Sequence, residues 1–217
     1  MIPVMIVPIL TRPELLHRMM NSIDVTIDHL VVIDNGMCTY GLEVLAAPRV
    51  RKLTVLQLPA NQGVAGSWNL GIKVTPSAPW WLIANFDIEW PAGSLETFAS
   101  IARTDALVLS GGSPEWCAFA VGEDVIDRVG LFDEGLHPAY FEDDDFQRRC
   151  YEAGVLVLHS SVAVDHENSS TIKDEKYHGR NNVTFADNAA FYGAKVERAD
   201  FSSGTWSLSR RRVNSWD

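Results

Sequence analysis

Cysteine is scarce in this sequence, and basic residues are outnumbered. The three cysteines, Cys38, Cys117 and Cys150, form no Cys-x-x-Cys pair, so neither a disulfide framework nor a thiolate zinc site is indicated, and a reducing cytoplasm is the expected location. The sequence contains 18 Lys and Arg residues and 28 Asp and Glu residues. The net charge of −10 therefore disfavours a protein that binds nucleic acid or an anionic membrane over its whole surface.

Long apolar runs are also missing, so we expect no membrane-spanning segment. The N-terminal run from Ile2 to Leu10 is short, contains Pro3 and Pro8, and lacks the basic lead-in of a signal peptide. The 217 residues, 47% of them hydrophobic, are enough for one sizeable core and too few for two comfortable domains. We therefore expect a single domain over residues 1–200, followed by a polar tail at 201–217 that contains Arg210, Arg211 and Arg212.

The first half of the chain alternates apolar runs with helical patterns. Predicted strands cover Ile2–Ile9, His29–Asp34, Leu53–Leu58 and Trp80–Ala84, and predicted helices follow Pro13 and cover Gly63–Val74. Such alternation predicts an α/β fold with a doubly wound, mostly parallel, Rossmann-like sheet and helices on both faces. From about residue 105 shorter elements complete the same sheet: strands at 106–110, 116–121 and 155–158, and helices at 124–129, 143–153 and 181–190.

Polar residues and glycines follow the predicted strands, where ligands of doubly wound sheets bind. Asp34 could accept hydrogen bonds from a ligand or shape an Asp-Asn-Gly turn. The glycine-spaced segment 61–71 could let the backbone approach a ligand or form a tight turn, and it contains neither a dinucleotide fingerprint nor a Walker loop. Asp87 could bind a divalent cation or cap the turn before Pro91, and His166 could be a metal ligand or a structural histidine.

Four consecutive carboxylates, Glu142 to Asp145, begin a predicted helix directly after Tyr140 and Phe141. Acidic side chains in a first helical turn often serve only as caps. The aromatic lead-in instead indicates a partly apolar floor, where a carboxylate can act as a base. That floor would lie beside Glu142 and Asp143, whereas Asp144 and Asp145 are assigned to capping and solvent.

In their order and spacing, these segments resemble the inverting family-2 glycosyltransferases of the GT-A fold. The resemblance covers roughly residues 2–190, and each motif in it is weak by itself. It is carried by Val7–Arg12, Val32–Gly36, Asn61-x-Gly63 with Asn69–Gly71, Asn85-Phe86-Asp87, Gly130–Glu134, Tyr140–Asp145, His166 and Arg180-Asn181.

The resemblance implies that a sugar moves from a nucleotide-diphosphate sugar, with UDP favoured, to an acceptor hydroxyl on a glycan, a protein or a modified nucleic-acid base. Residues 1–104 would bind the donor and residues 105–200 the acceptor. Asp143 would be the general base, with Glu142 orienting the acceptor or the base, and Asp87 and His166 would hold Mn²⁺ or Mg²⁺. The implied donor contacts are Pro8, Thr11, Arg12, Asp34, Asn61, Gly63, Asn69, Asn85 and Phe86.

Two positions depart from the family pattern, and two other functions remain open. Asn85 replaces the first acid of the metal motif, and Trp68 stands where the family commonly has Arg, so that it either stacks on a ligand or packs. A sugar-nucleotide nucleotidyltransferase would require a glycine-rich signature with Arg and Lys near the first strand, where only Thr11-Arg12 is present. A non-catalytic nucleotide-sugar or glycan-binding module would have no need of Asp143.

Overall fold

A computed structural model describes residues 1–38, 49–167 and 175–201 of the chain, with the backbone alone for 175–181. Seven strands form one sheet in the order β3-β2-β1-β4-β7-β6-β8. They are β1 (Ile2–Ile9), β2 (Ile27–Asp34), β3 (Val50–Gln57), β4 (Trp80–Ala84), β6 (Ala106–Leu109), β7 (Ala118–Gly122) and β8 (Leu156–His159). Two short strands, β5 (Ile88–Glu89) and β9 (Asp165–His166), pair antiparallel in a separate sheet.

The large sheet is mostly parallel, as predicted. Strands β3, β2, β1 and β4 run parallel, as do β6 and β8, and β7 is antiparallel to both its neighbours. The central strands are apolar along nearly their whole length because helices cover both of their faces. Strands from both halves of the chain join this sheet, as the pattern from residue 105 onward indicated.

The described residues form six α-helices: α1 (Pro13–Asn21), α2 (Gly63–Val74), α3 (Ser94–Ile101), α4 (Glu123–Val129), α5 (Glu142–Glu152) and α6 (Glu175–Arg198). Successive residues of β1 face opposite sides, so Met5 packs with α1 and α3, and Ile6 packs with α2, α4 and α5. This alternation is the ordinary consequence of the two-residue period of a strand. In the described part of the chain, none of the helices is both long and apolar enough to cross a bilayer.

Several local predictions were wrong or incomplete. Glu115–Cys117 form a 3-10 turn where we expected the start of a strand, and β7 begins at Ala118. Helix α6 begins at Glu175 and ends at Arg198, so it extends well beyond the predicted 181–190. Helix α3 and the β5–β9 pair were not predicted, since eight-residue and two-residue elements carry little periodic signal.

Candidate active site

The turns after β1 and β2 are in direct contact at the carboxyl edge of the sheet. The backbone N–H of Asn35 donates to the carbonyl oxygen of Ile9 over 2.8 Å. At Gly36 a Cβ atom would lie 1.8 Å from the carbonyl oxygen of Leu10, so no residue with a side chain fits there. The pairing of these two turns therefore explains the glycine that follows Asp34-Asn35.

Asp34 lies fully buried at the end of β2 and shapes this turn. Its Oδ1 accepts the N–H groups of Gly36 and Cys38, each over 3.1 Å. Asp34 is 0% exposed, and burial followed by the charge of Asp34 raises the pKa of the Cys38 thiol to about 12. The turn-forming alternative is thus present in the structure, and a contact between Asp34 and a nucleotide stays a prediction.

Arg12 connects the turn after β1 to the end of β9. It adopts a left-handed backbone with φ 56°, and its guanidinium bonds Glu14 at 3.0 Å and Glu167 at 3.2 Å. Arg18, on α1, also bonds Glu167, at 2.9 Å. Glu167 follows His166 directly, so these ion pairs fasten the His166 strand to α1. Half-buried Pro8 and Thr11 lie on the same edge.

The start of α2 is built around Gly63. The Oδ1 atom of Asn61 accepts the Gly63 N–H over 2.9 Å, and Gly63 has φ +75°, a conformation that glycine adopts without strain. A Cβ atom there would lie 2.8 Å from both Nδ1 of His137 and the carbonyl oxygen of Pro138. The Val64 N–H donates to that same Pro138 oxygen over 2.7 Å. Because Gly63 has no side chain, the segment that leads to α5 can pack against the start of α2.

Asn69 holds that same segment to α2 from within the core. The residue is 0% exposed, its Nδ2 donates to the Phe132 carbonyl and to Glu134, and its Oδ1 accepts the Phe132 N–H, each over 2.9 Å. All three interactions are internal, so we leave Asn69 out of the residues proposed to contact a donor. Trp68 is buried and packs edge-on against Phe119 and Phe132, so the packing alternative is present in the structure.

Asp87 and His166, the two predicted metal ligands, lie side by side. The β5–β9 pair places Ile88 opposite His166, and the Glu167 N–H donates to the Asp87 carbonyl over 3.0 Å. Nε2 of His166 is then 3.1 Å from Oδ1 of Asp87, and both side chains are buried. The Asn85 amide nitrogen lies 3.5 Å from the same Nε2 atom.

Phe86, between these residues, points into the core instead. It is 7% exposed and belongs to the apolar cluster on the α1 and α3 face. Phe86 thus anchors the Asn85–Asp87 segment, and we do not keep it among the proposed donor contacts.

The Asp87–His166 pair fits part of the coordination shell of a divalent cation. Nδ1 of His166 lies 3.2 Å from the Ser113 carbonyl oxygen, and donation to that oxygen directs Nε2 toward Asp87. Burial lowers the pKa of His166, but its hydrogen bond to Asp87, the Asp87 charge and the Ser113 carbonyl outweigh burial and raise it. Within 1–38, 49–167 and 175–201, no group of three or more His, Cys, Asp or Glu could hold an ion by itself. Phosphate oxygens or water would have to complete the shell.

The four carboxylates from Glu142 to Asp145, which we call the acidic turn, lie in different environments. Tyr140 and Phe141 both have left-handed backbones, with φ 83° and 71°, and α5 begins directly after them. Glu142 is 6% exposed, Asp143 is half-buried, and Asp144 is exposed. The Asp144 N–H donates to Oδ1 of Asp143 over 3.0 Å.

Burial changes the proton affinity of the first two acids. It raises the pKa of Glu142 to about 8, with a further contribution from the charge of Asp143. It also raises the pKa of Asp143, with a further contribution from Asp144. No hydrogen-bond partner for Oε2 of Glu142 is present among the described residues. Near pH 7 Glu142 is therefore largely a neutral acid beside a carboxylate that can take up a proton.

Asp145 was predicted to cap the helix or face solvent, and this was wrong. The residue is 0% exposed and bonds Arg149 at 2.8 Å and Lys195 at 2.5 Å. Two oppositely charged partners compensate for removing this carboxylate from water. The sequence showed no sign of Lys195 because it lies on α6, 50 positions away.

The segment 113–117 contacts His166, Asn85 and helix α5. Its Ser113 carbonyl contacts His166, and its Cys117 carbonyl accepts the Asn85 N–H over 2.8 Å. Its Trp116 indole donates to Gln147 of α5 over 3.5 Å, and Gln147 lies on the same helical face as Asp143, four positions earlier. Of this segment, only residues 116 and 117 fall within a predicted strand, at 116–121.

Some predicted features lie outside the described side chains. Arg180 and Asn181 fall in the part of α6 described by backbone alone, and Arg210, Arg211 and Arg212 lie outside the described residues.

The sheet order, the two covered faces and the polar carboxyl edge define an α/β protein of the GT-A type, so the predicted fold is confirmed. Solved glycosyltransferases share this fold. The mannosyltransferase PcManGT from Pyrobaculum calidifontis, in complex with GDP-Man and Mn²⁺, matches with a TM-score of 0.58 and 15% identity over 73% of this chain and 54% of its own. S. aureus TarS 1-349 matches in complex with UDP-GlcNAc (TM-score 0.57, 16% identity, 75% of this chain and 57% of that one).

The TarS complex with UDP also matches, with a TM-score of 0.56 and 18% identity over 75% of this chain and 61% of that one. This chain thus spans little more than half the length of the chain in each of these three structures. No protein-family model matches the sequence, and no curated protein matches it either. At these identities the comparisons establish the fold.

Proposed function

We propose that this chain is an inverting glycosyltransferase of family-2 type, which moves a sugar from a nucleotide-diphosphate sugar to an acceptor hydroxyl. The observation that carries the proposal is the buried Asp87–His166 pair at the carboxyl edge of a GT-A sheet. These two residues are the metal ligands that the sequence predicts. A nucleotide-sugar donor is further supported by GDP-Man, UDP and UDP-GlcNAc in the structural neighbours.

At the donor end, Asp87 and His166 would hold the divalent cation, and Asn85 would lie beside it. The bound cation would neutralise the charge that develops on the leaving nucleoside diphosphate. Mn²⁺ and Mg²⁺ are both candidates, because phosphate oxygens and water would supply most of the ligands. The remaining proposed donor contacts lie at the carboxyl ends of the parallel strands or on the turns that follow them: Pro8, Thr11, Arg12, Asp34, Asn61 and Gly63. A UDP-linked sugar is the favoured donor.

At the acceptor end, Asp143 would take the proton from the acceptor hydroxyl. The bond between the acceptor oxygen and the anomeric carbon forms as the bond from that carbon to the phosphate oxygen breaks, which inverts the anomeric centre. The raised pKa of Asp143 brings its basicity closer to that needed near neutral pH. Glu142, which keeps its proton at neutral pH, would donate a hydrogen bond to the acceptor or to Asp143.

The acceptor class and the location stay predictions. A glycan, a protein side chain and a modified nucleic-acid base each offer a hydroxyl to a base at this position. A cytoplasmic location, inferred from cysteine usage, is also a prediction. The two alternative functions predict different reactions. A nucleotidyltransferase would form nucleotide sugars from sugar phosphates, and a binding module would bind the donor without turnover.

A thermal-shift screen with UDP-GlcNAc, UDP-glucose and GDP-mannose, each with and without Mn²⁺, tests the proposal. A donor at about 100 times its Kd stabilises the fold by about 2.7 kcal/mol, which raises Tm by about 5 to 10 °C for a domain of this size. We expect such a shift for at least one donor, and a larger one with Mn²⁺ than with chelator. The absence of any shift at millimolar donor would contradict the proposal.

A further inference from the structure

Helix α6 presents one face to the segment that leads into the acidic turn. Phe185, Asn188, Tyr192 and Lys195 recur at intervals of three and four positions, so they lie on one side of the helix. All four contact residues between 133 and 145. None of these contacts involves a residue that is proposed to bind the donor. Because all four lie on one face of α6, they indicate that this face has a separate function.

Lys195 connects α6 to the base-bearing helix through buried charges. The residue is 7% exposed, and its Nζ lies 2.5 Å from Oδ2 of Asp133 and 2.5 Å from Oδ1 of Asp145. Arg149 bonds the other oxygen of Asp145. Two carboxylates and two cations thus compensate each other, and loss of one member leaves an uncompensated buried charge. Asp145 lies two positions after Asp143, in the same helical turn.

The other three residues support the strained entry to α5. Phe185 contacts the rings of Tyr140 and Phe141, with centroids 5.3 and 5.2 Å apart, and Tyr192 stacks on Phe141 at 5.6 Å. The Asn188 amide donates to the Ala139 carbonyl over 2.7 Å. Consecutive left-handed residues with side chains persist only where surrounding contacts hold them. Here α6 supplies those contacts.

We propose that α6 positions the catalytic acids: Lys195, with the aromatic contacts of Phe185 and Tyr192, holds Tyr140 and Phe141 in their left-handed conformation and so fixes Glu142 and Asp143. Lys195 is a positioning residue because it touches Asp145 and not the reacting groups. The catalytic part of this inference rests on the proposed function, whereas the structural part can be measured without any substrate.

Hydrogen exchange of the full chain tests the structural part. We expect amides of a peptide covering 139–146 to exchange about tenfold faster in Lys195→Met and Phe185→Ala than in the unmodified protein, with β1 and β2 unchanged. Lys195→Arg, which keeps the charge, should exchange nearly as the unmodified protein does. Val183→Ala is the matched control, because Val183 is on the same helix and 62% exposed. If Lys195→Met does not fold, Phe185→Ala decides the result.

Kinetics with the donor found in the thermal-shift screen test the catalytic part. Lys195→Met should lower kcat for transfer by at least about tenfold at unchanged donor KM, and Lys195→Arg should restore most of it. Unchanged exchange at 139–146 in the folded variants overturns the inference, as does a matching loss of donor affinity in Lys195→Met. If no donor binds, the proposed function fails, and the exchange result still decides whether α6 holds the turn.

Discussion

Nε2 of His166 lies 3.1 Å from Oδ1 of Asp87, although 79 positions separate the two residues along the chain. The two-residue strands β5 and β9 bring them together, and Glu167, which bonds Arg12 and Arg18, fastens the second of these strands. A metal ion at this pair would lie beside the diphosphate of a donor bound at the carboxyl edge.

Removal of either ligand should weaken metal-dependent donor binding. We expect Asp87→Asn and His166→Gln to raise the Kd of UDP in the presence of Mn²⁺ by at least about tenfold, because each removes one of two protein ligands. Isothermal titration calorimetry with Mn²⁺ and with chelator measures the effect. Asp165→Asn is the matched control, since it removes an exposed carboxylate next to His166. Unchanged metal-dependent affinity in both variants would contradict the assignment.

Glu142 should make the protein less stable as pH rises. Its pKa is about 8 in the folded protein against an ordinary value of 4.5, so its stabilising contribution is complete below about pH 4.5 and is lost as pH rises through 8. At about 1.4 kcal/mol per pKa unit, the upper limit of this effect is about 5 kcal/mol. Glu142→Gln should therefore be more stable than the unmodified protein at pH 9, with a smaller difference at pH 5.

Urea denaturation at the two pH values measures that difference, and Glu96→Gln, on the exposed side of α3, is the control. The same pH dependence in Glu142→Gln and in the unmodified protein would show that Glu142 does not retain a proton in the fold.

A methyl group at Gly63 should lower the free energy of unfolding by more than the left-handed backbone alone explains. Gly63→Ala places Cβ 2.8 Å from the Pro138 carbonyl at φ +75°, whereas at Gly154 the φ is +66° and nothing lies within 4 Å of the added atom. The left-handed backbone costs about 1–2 kcal/mol in both variants. We expect Gly63→Ala to lose at least about 1 kcal/mol more than Gly154→Ala in urea denaturation. Equal losses would mean that the 137–138 segment moves away freely.

Asn69 and Asn61 should separate stability from donor binding. Asn69→Ala leaves the buried N–H and carbonyl of Phe132 without the amide partner, so we expect a loss of about 2–4 kcal/mol in unfolding free energy and unchanged UDP affinity. Asn61→Ala should change stability by about 1 kcal/mol or less and weaken UDP binding. A thermal melt with and without UDP measures both quantities. Weaker UDP binding by a fully stable Asn69→Ala would return Asn69 to the donor site.

The sequence predicts the elements whose signals are local. β1, β4 and α2 have the predicted limits, because unbroken apolar runs and the glycine-bounded start of α2 can be recognised within a few residues. The carboxyl edge follows from the order of these elements. The different burial of the acids in the acidic turn depends instead on tertiary contacts. Asp145 is buried beside Lys195, and Glu142 is buried by the fold around α5.

The sequence alone does not distinguish the roles of single polar residues, because a side chain that can bind a ligand can equally bind the backbone. Asn69 and Gly63 match donor motifs by position, and in the structure both also contact the segment before α5. The stripe of Phe185, Asn188, Tyr192 and Lys195 was present in the sequence as a helical period. It would have indicated the longer α6, although not what the helix contacts.

Asp143 is the proposed base that activates the acceptor, and comparison of Asp143→Asn with Asp144→Asn distinguishes its role from that of a neighbouring acid. The measurement is the rate of sugar transfer at saturating donor, alongside donor affinity, for the two neighbouring acids. We predict that Asp143→Asn lowers the transfer rate by about 10²–10⁴-fold with donor affinity nearly unchanged, and that exposed Asp144→Asn stays within about threefold of the unmodified protein. Transfer by Asp143→Asn at the rate of Asp144→Asn would contradict the account.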